Sequence, residues 1–217
     1  MGMCEITRIE RQKSGAPRYN IHIDGSYRFA VHEDVLVRFA LSKGMRVNPE
    51  EMERILDTEE RNKVRQAALR YIGYKPRTVR EVQRYLDGKG FDPRHRDSVV
   101  KEMKSHQYLD DRRFAQEWVE QRRRRKGYGA RMLQQELEQK GISSDVAAEA
   151  LTAVDEADEH RLAEQVAEKR YRRLLGNPWP TVERRLGQYL LRRGFNSSVV
   201  FGLLNQFRRR HDGEEGE

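Results

Sequence analysis

Apolar positions along this chain alternate over the first thirty residues and then adopt helical spacing to the end. Glu5 to Arg11 alternates through Ile6 and Ile9, and Tyr19, Ile21 and Ile23 share one strand face. Tyr27, Phe29 and Val31 return after Asp24-Gly25, two positions that tolerate the positive φ of a tight hairpin. Lys13-Ser14-Gly15-Ala16-Pro17 supplies the other turn. The prediction is a small antiparallel meander, too small to stand alone, that must pack on the next helices of the chain. His32-Glu33-Asp34 opens the first of these, a short helix through Val35, Leu36, Phe39 and Ala40. Asn48-Pro49-Glu50-Glu51 opens another holding Met52, Ile55 and Leu56.

From there one helical pattern recurs three times. Val82, Leu86, Gly90 and Phe91 are matched by Leu133, Leu137, Gly141 and Ile142, and again by Leu186, Leu190, Gly194 and Phe195. Each copy later carries an apolar pair: Val99-Val100, Ala150-Leu151 and Leu203-Leu204. Repeats of this size are stacked helical units that cannot bury their apolar faces alone. Each parses as three helices: 59–73, 77–89 and 93–105; 111–125, 129–140 and 143–153; 157–175, 179–193 and 196–209. Gly90, Gly141 and Gly194 sit where a helix C-cap demands φ > 0. The division is an N-terminal module over 1–57, repeats over 58–107, 108–154 and 155–210, and an acidic tail over 211–217. The expected fold is mainly α: tandem three-helix repeats in an elongated curved array, behind a small β-meander with short helices. Such an array offers a shallow surface rather than a pocket, which favours binding over catalysis.

Composition agrees. Apolar and charged residues each make up 36% of the chain, so any single core is thin. One cysteine, Cys4, excludes an internal disulfide framework. No apolar run approaches the roughly 20 residues of a membrane span, and the N-terminus lacks the apolar core of a secretory signal, so a soluble cytoplasmic protein is expected; a monomer is expected as well. The net charge of +8 is uneven: residues 58–107 hold thirteen basic against seven acidic side chains, and residues 155–210 twelve against seven. Basic surface of this kind suits a polyanion or an acidic protein face.

Little in the sequence suggests chemistry. Asp110-Asp111 resembles a carboxylate pair but reads better as a helix N-cap. The six histidines are scattered without metal-ligand spacing, and no phosphate-binding Gly-Lys-Ser/Thr loop is present, so no metal, cofactor or ATPase activity is expected. Gly127-Tyr128-Gly129 reads as a tight helix-to-helix link leaving backbone amides exposed. The sharpest binding candidates are cations: Arg122, Arg123, Arg124, Arg125 and Lys126 in one run; Arg77, Arg80 and Arg84 on one helix face; Arg172 and Arg173; Arg184 and Arg185; and Arg192 and Arg193. Tyr71, Tyr74, Tyr85 and Tyr189 interleave with them and are expected to be core or half-buried. Trp118 and Tyr171, in first helices, are expected in the core.

The segment linking the first two repeats carries a recognisable signature. Tyr108-Leu109-Asp110-Asp111, Phe114-Ala115, the run Arg122 to Lys126, Gly127-Tyr128-Gly129, Glu136-Leu137 and Lys140-Gly141-Ile142 occur in that order. The pattern resembles the RecX family, bacterial regulators of the recombinase RecA, and Ile6-Thr7-Arg8-Ile9 with Tyr19-Asn20-Ile21 resembles its longer Gram-positive members. The third repeat departs most, with Gly176-Asn177-Pro178-Trp179-Pro180 in place of the Gly-Tyr-Gly link. The resemblance implies a non-enzymatic protein that lodges in the groove of the RecA filament on single-stranded DNA. There it would restrain ATPase and strand exchange in recombination, repair and the SOS response, with weak direct DNA binding. The alternative is a single-stranded DNA or RNA binding protein acting without a recombinase partner.

Overall fold

The structure is a computed structural model that describes residues 3–13, 15 and 17–214. Ser14 and Ala16 of the first turn, and the end of the acidic tail from Glu215, lie outside the described residues. Strands β1 (Cys4–Arg11), β2 (Arg18–Ile23) and β3 (Ser26–His32) form the expected meander. A short fourth strand, β4 (Arg46–Val47), completes an antiparallel sheet of order β3-β2-β1-β4. At the β2–β3 turn Asp24 and Gly25 have φ of 49° and 83°, as the hairpin requires. The helices are α1 (Glu33–Arg38), α2 (Pro49–Gly73), α3 (Val79–Asp87), α4 (Pro93–Ser105), α5 (Asp111–Lys126), α6 (Ala130–Gln139), α7 (Ser144–Thr152), α8 (Glu156–Tyr171), α9 (Trp179–Arg192) and α10 (Ser197–Glu214).

The chain divides into two compact units. The first contains the residues up to Pro76 and Val82–Tyr108. Its sheet buries Ile6, Ile21, Ile23, Val31 and Val47 against Val35 of α1 and Ile55 of α2. The buried Glu59 carboxylate accepts from the His32 backbone N–H at 2.8 Å and pairs with Arg18 at 2.7 Å, which fastens α2 to the sheet. Arg61 and Arg65 of α2 both reach Glu102 of α4. Here the structure corrects the sequence reading. The two helices expected on either side of residue 58 are one continuous helix, opened by a reciprocal cap between Asn48 and Glu51. Glu59, expected as the first residue of the helix over 59–73, sits mid-helix facing the sheet.

The second unit contains Arg77–Glu81 and everything from Leu109. Its second repeat buries Phe114, Ala115, Val119, Leu133, Leu137, Ile142, Ala147 and Ala150. The third repeat buries a larger set, including Tyr171, Leu186, Leu190, Phe195, Leu203 and Phe207. Within each set the Leu pair of the second helix meets the apolar residue after the Gly, because that Gly turns the chain back at φ +86° in both. Helix α10 runs to Glu214, so the start of the supposed tail is helical, and His211 is buried with its Nδ1 3.1 Å from the Tyr171 hydroxyl.

Candidate binding surface

Helix α5 sorts its terminal cations by angle. Its buried residues Phe114, Ala115 and Val119 continue, one turn on, into Arg122 and Arg123. Arg122 is half-buried, lies 4.1 Å from the Trp118 ring centre and pairs with Glu136 at 3.0 Å. Trp118 donates its own Nε1–H to Glu136 at 2.8 Å and is half-buried rather than fully in the core. Arg123 donates at 2.7 Å to Glu159 of α8 and at 3.2 Å to the Asp158 carbonyl. Arg122 and Arg123, both candidates from sequence, are therefore occupied internally. Arg124, Arg125 and Lys126 are exposed and form no ion pair with any described residue.

The remaining candidates divide the same way. Arg193 is half-buried, stacks 4.8 Å from the Tyr189 ring centre and donates to the Lys126 carbonyl, so it bridges the second and third repeats. Arg77 is half-buried and engaged. Burial pushes the nearby Glu81 carboxyl up, but the hydrogen bonds from Lys140 and the Thr78 backbone and the charges of Lys140 and Arg77 outweigh it. The net direction is below the ordinary carboxylate value. Arg172 is exposed and paired with Glu168. Arg80, Arg84, Arg173, Arg184, Arg185 and Arg192 are exposed without an ion pair to any described residue. Arg184, Arg185 and Arg192 all lie on the side of α9 away from its buried Val182, Leu186, Gly187 and Leu190. Among the interleaved tyrosines, Tyr71, Tyr85 and Tyr189 are half-buried, whereas Tyr74 is 87% exposed.

Sequence reasoning missed Arg131. It is exposed, forms no ion pair with a described residue, and precedes the first residue of its repeat's apolar pair (Leu133) by two positions, as Arg80 precedes Val82 and Arg184 precedes Leu186. The repeat alignment alone contains that signal.

The Gly127-Tyr128-Gly129 link also needs correction. Two of its three amides are engaged: Gly127 N–H caps α5 at the Arg123 carbonyl, and Gly129 N–H donates to the Arg193 carbonyl at 2.8 Å. Next to it Ala130 N–H donates to Glu159 at 3.0 Å, and Arg131 N–H to the Gly194 carbonyl at 3.0 Å. At the preceding junction the Thr78 hydroxyl donates to the Lys140 carbonyl at 2.8 Å, and Val79 N–H to Asp111 at 2.9 Å. So Asp110 caps its own helix through Arg113 N–H, while its neighbour Asp111 caps another helix. Among the described residues no three His, Cys, Asp or Glu side chains gather as a metal site requires, and no helix is long and apolar enough to cross a membrane.

A four-stranded N-terminal module and three-helix repeats, joined through helix N-termini and presenting surplus arginine, define a tandem helical-repeat protein. Comparison with known proteins supplies the family. Residues 4–48 match the Regulatory protein RecX N-terminal domain. Residues 65–103, 110–151 and 157–204 match the first, second and third three-helix domains of RecX. The Regulatory protein RecX of Bacillus licheniformis is 33% identical over 94% of this chain and 78% of its own length. That of Clostridium tetani is 29% identical over 93% and 94%. A crystal structure of regulatory protein RecX, 30% identical, covers 94% of this chain and 99% of its own with a TM-score of 0.78. A RecX structure from Lactobacillus salivarius, 21% identical, shares the fold over 69% of this chain and 97% of its own with a TM-score of 0.65. The chain belongs to the RecX family of regulatory proteins.

Proposed function

We propose that this protein binds the RecA filament on single-stranded DNA and restrains its ATPase and strand exchange, without catalysing a reaction itself. Family membership supports the reading, and the observation that carries it is the run Arg124, Arg125 and Lys126. These three adjacent cations are exposed and share no counter-charge with the described residues. Like charges this close repel, and the C-terminal end of the α5 dipole offsets only part of that. An acidic partner surface relieves the remainder. Arg80, Arg84 and Arg131 extend the same chemistry along the second helices. Repeats laid along the filament groove would tie neighbouring recombinase subunits together, resisting the movements of ATP turnover and blocking duplex entry.

The exposed trio on α9, Arg184, Arg185 and Arg192, favours a second reading in which filament DNA or free single strands are contacted directly. Phosphate contacts give a log–log salt slope of roughly one unit per neutralised phosphate. The two readings separate by co-sedimentation with RecA filaments. Charge reversal of Arg124 and Arg125 should abolish co-sedimentation while leaving binding to free single-stranded DNA within about twofold. Unchanged co-sedimentation would contradict the proposal.

A further inference from the structure

The two repeat junctions are built from the same three parts. A helix N-terminus enters; a Gly turn from the next repeat offers carbonyl oxygens; and a carboxylate from that repeat's first helix takes an exposed N–H. At one junction these are Thr78-Val79, Lys140-Gly141 and Asp111. At the other they are Gly129-Ala130, Arg193-Gly194 and Glu159. The fit is close: a β-carbon on Gly141 would stand 2.1 Å from the Arg80 stem, and one on Gly194 would stand 2.2 Å from Met132 N.

The first repeat carries the receiving half of this joint, and no helix N-terminus among the described residues is seated in it. Glu60 precedes Gly90 by the same thirty positions that separate Asp111 from Gly141. Glu60 and Gly90 line one groove of about 540 Å³, floored by Leu56, Val64 and Phe91. Three further observations mark it as open. Gly90 has φ +75°, yet a β-carbon there would meet nothing within 4 Å. Phe91 is half-exposed, whereas its counterparts Ile142 and Phe195 are buried. Leu56 is 40% exposed. The rim carries Glu53, Asp57, Glu60 and Asp92 against Arg94 and His95; Asp57 pairs with His95, Asp92 with Arg94 and Glu60 with the exposed Lys63, a surface pair that an incoming helix N-terminus would have to displace.

We infer that this groove, between the N-terminal half of α2 and the Lys89-Gly90 turn, is a docking socket for the first turn of an α-helix on a partner protein. The internal occupants define the chemistry it takes. Both begin with a small or hydroxyl N-cap, then a small aliphatic residue, then Arg, and an aliphatic residue two further on: Thr78-Val79-Arg80-x-Val82 and Gly129-Ala130-Arg131-x-Leu133. A helix N-terminus carries free N–H groups and a partial positive charge, which complement turn carbonyls and an acidic rim. A second copy of this chain fits poorly. Its α9 N-terminus is the one not gripped by a following repeat, and it places Pro180, which has no N–H, at the second helical position.

The probe is a peptide of residues 126–140 of this chain, held helical by a Gln134→Lys lactam to Glu138, titrated into the labelled 217-residue protein. Amide shifts at Gly90, Phe91 and Leu56 are expected, with at least tenfold weaker binding to Glu60→Lys and to a peptide carrying Arg131→Glu. Gly90→Asn, which keeps an accessible left-handed backbone, should weaken binding similarly without altering the fold. Shifts confined to Gly194 and Phe195, or equal affinity for Glu60→Lys, would overturn the inference. So would self-association of the protein alone that Glu60→Lys abolishes.

Discussion

Gly194 lies so close to the first turn of α6 that a β-carbon on it would stand 2.2 Å from the amide nitrogen of Met132. It also has φ +86°. Both facts penalise any side chain, one through backbone strain of about 1–2 kcal/mol and the other through overpacking of about 1–3 kcal/mol. Gly194→Ala should therefore destabilise the protein by about 2–5 kcal/mol. Gly90→Ala meets open space and should cost only the strain, about 1–2 kcal/mol. Chemical denaturation of the two variants checks the contrast; equal losses would mean that the joint between the second and third repeats is loose.

Neighbouring arginines should behave oppositely. Arg123→Ala leaves the Glu159 carboxylate, 6% exposed, without its cation. Removing one partner of a largely buried pair costs about 3 kcal/mol. Arg124→Ala, on the solvent side, should change stability by less than about 0.5 kcal/mol while weakening partner binding. Thermal melts alongside filament co-sedimentation read both effects. A stability loss at Arg124, or none at Arg123, would contradict the placement.

Glu81 should give the second unit a measurable acid dependence. Its folded carboxyl titrates below the ordinary 4.5, so the stability it contributes is complete above that value and is lost as pH falls through the lower one. Glu81→Gln should be less stable than the parent at neutral pH, and the gap should close on acidification. A gap independent of pH between neutrality and about pH 3 would mean that the Lys140–Glu81 pair contributes nothing to the fold.

The repeats are legible in the sequence because their signals are local. Gly90, Gly141 and Gly194 need positive φ wherever they sit, and the apolar pairs before them define a helix face. The sorting of Arg122 to Lys126 is also accessible, since the buried stripe Ala115–Val119 extends by helical spacing to Arg122 and Arg123. What stays hidden depends on partners distant in sequence. Asp111 reads as a cap of its own helix, and Glu159 carries no local signal of burial; each instead accepts an N–H from another helix. Glu59 looks like a helix start and is buried because Arg18 and His32 meet it. The Gly127-Tyr128-Gly129 amides look free, yet Gly129 donates to the next repeat and Gly127 to its own helix.

The most direct test of filament-directed regulation is the single-strand-dependent ATPase of the cognate RecA while this protein is titrated in, with and without excess competitor DNA. Inhibition below one molecule per recombinase subunit that survives the competitor is the predicted result. Inhibition that the competitor abolishes, or none at all, would contradict it.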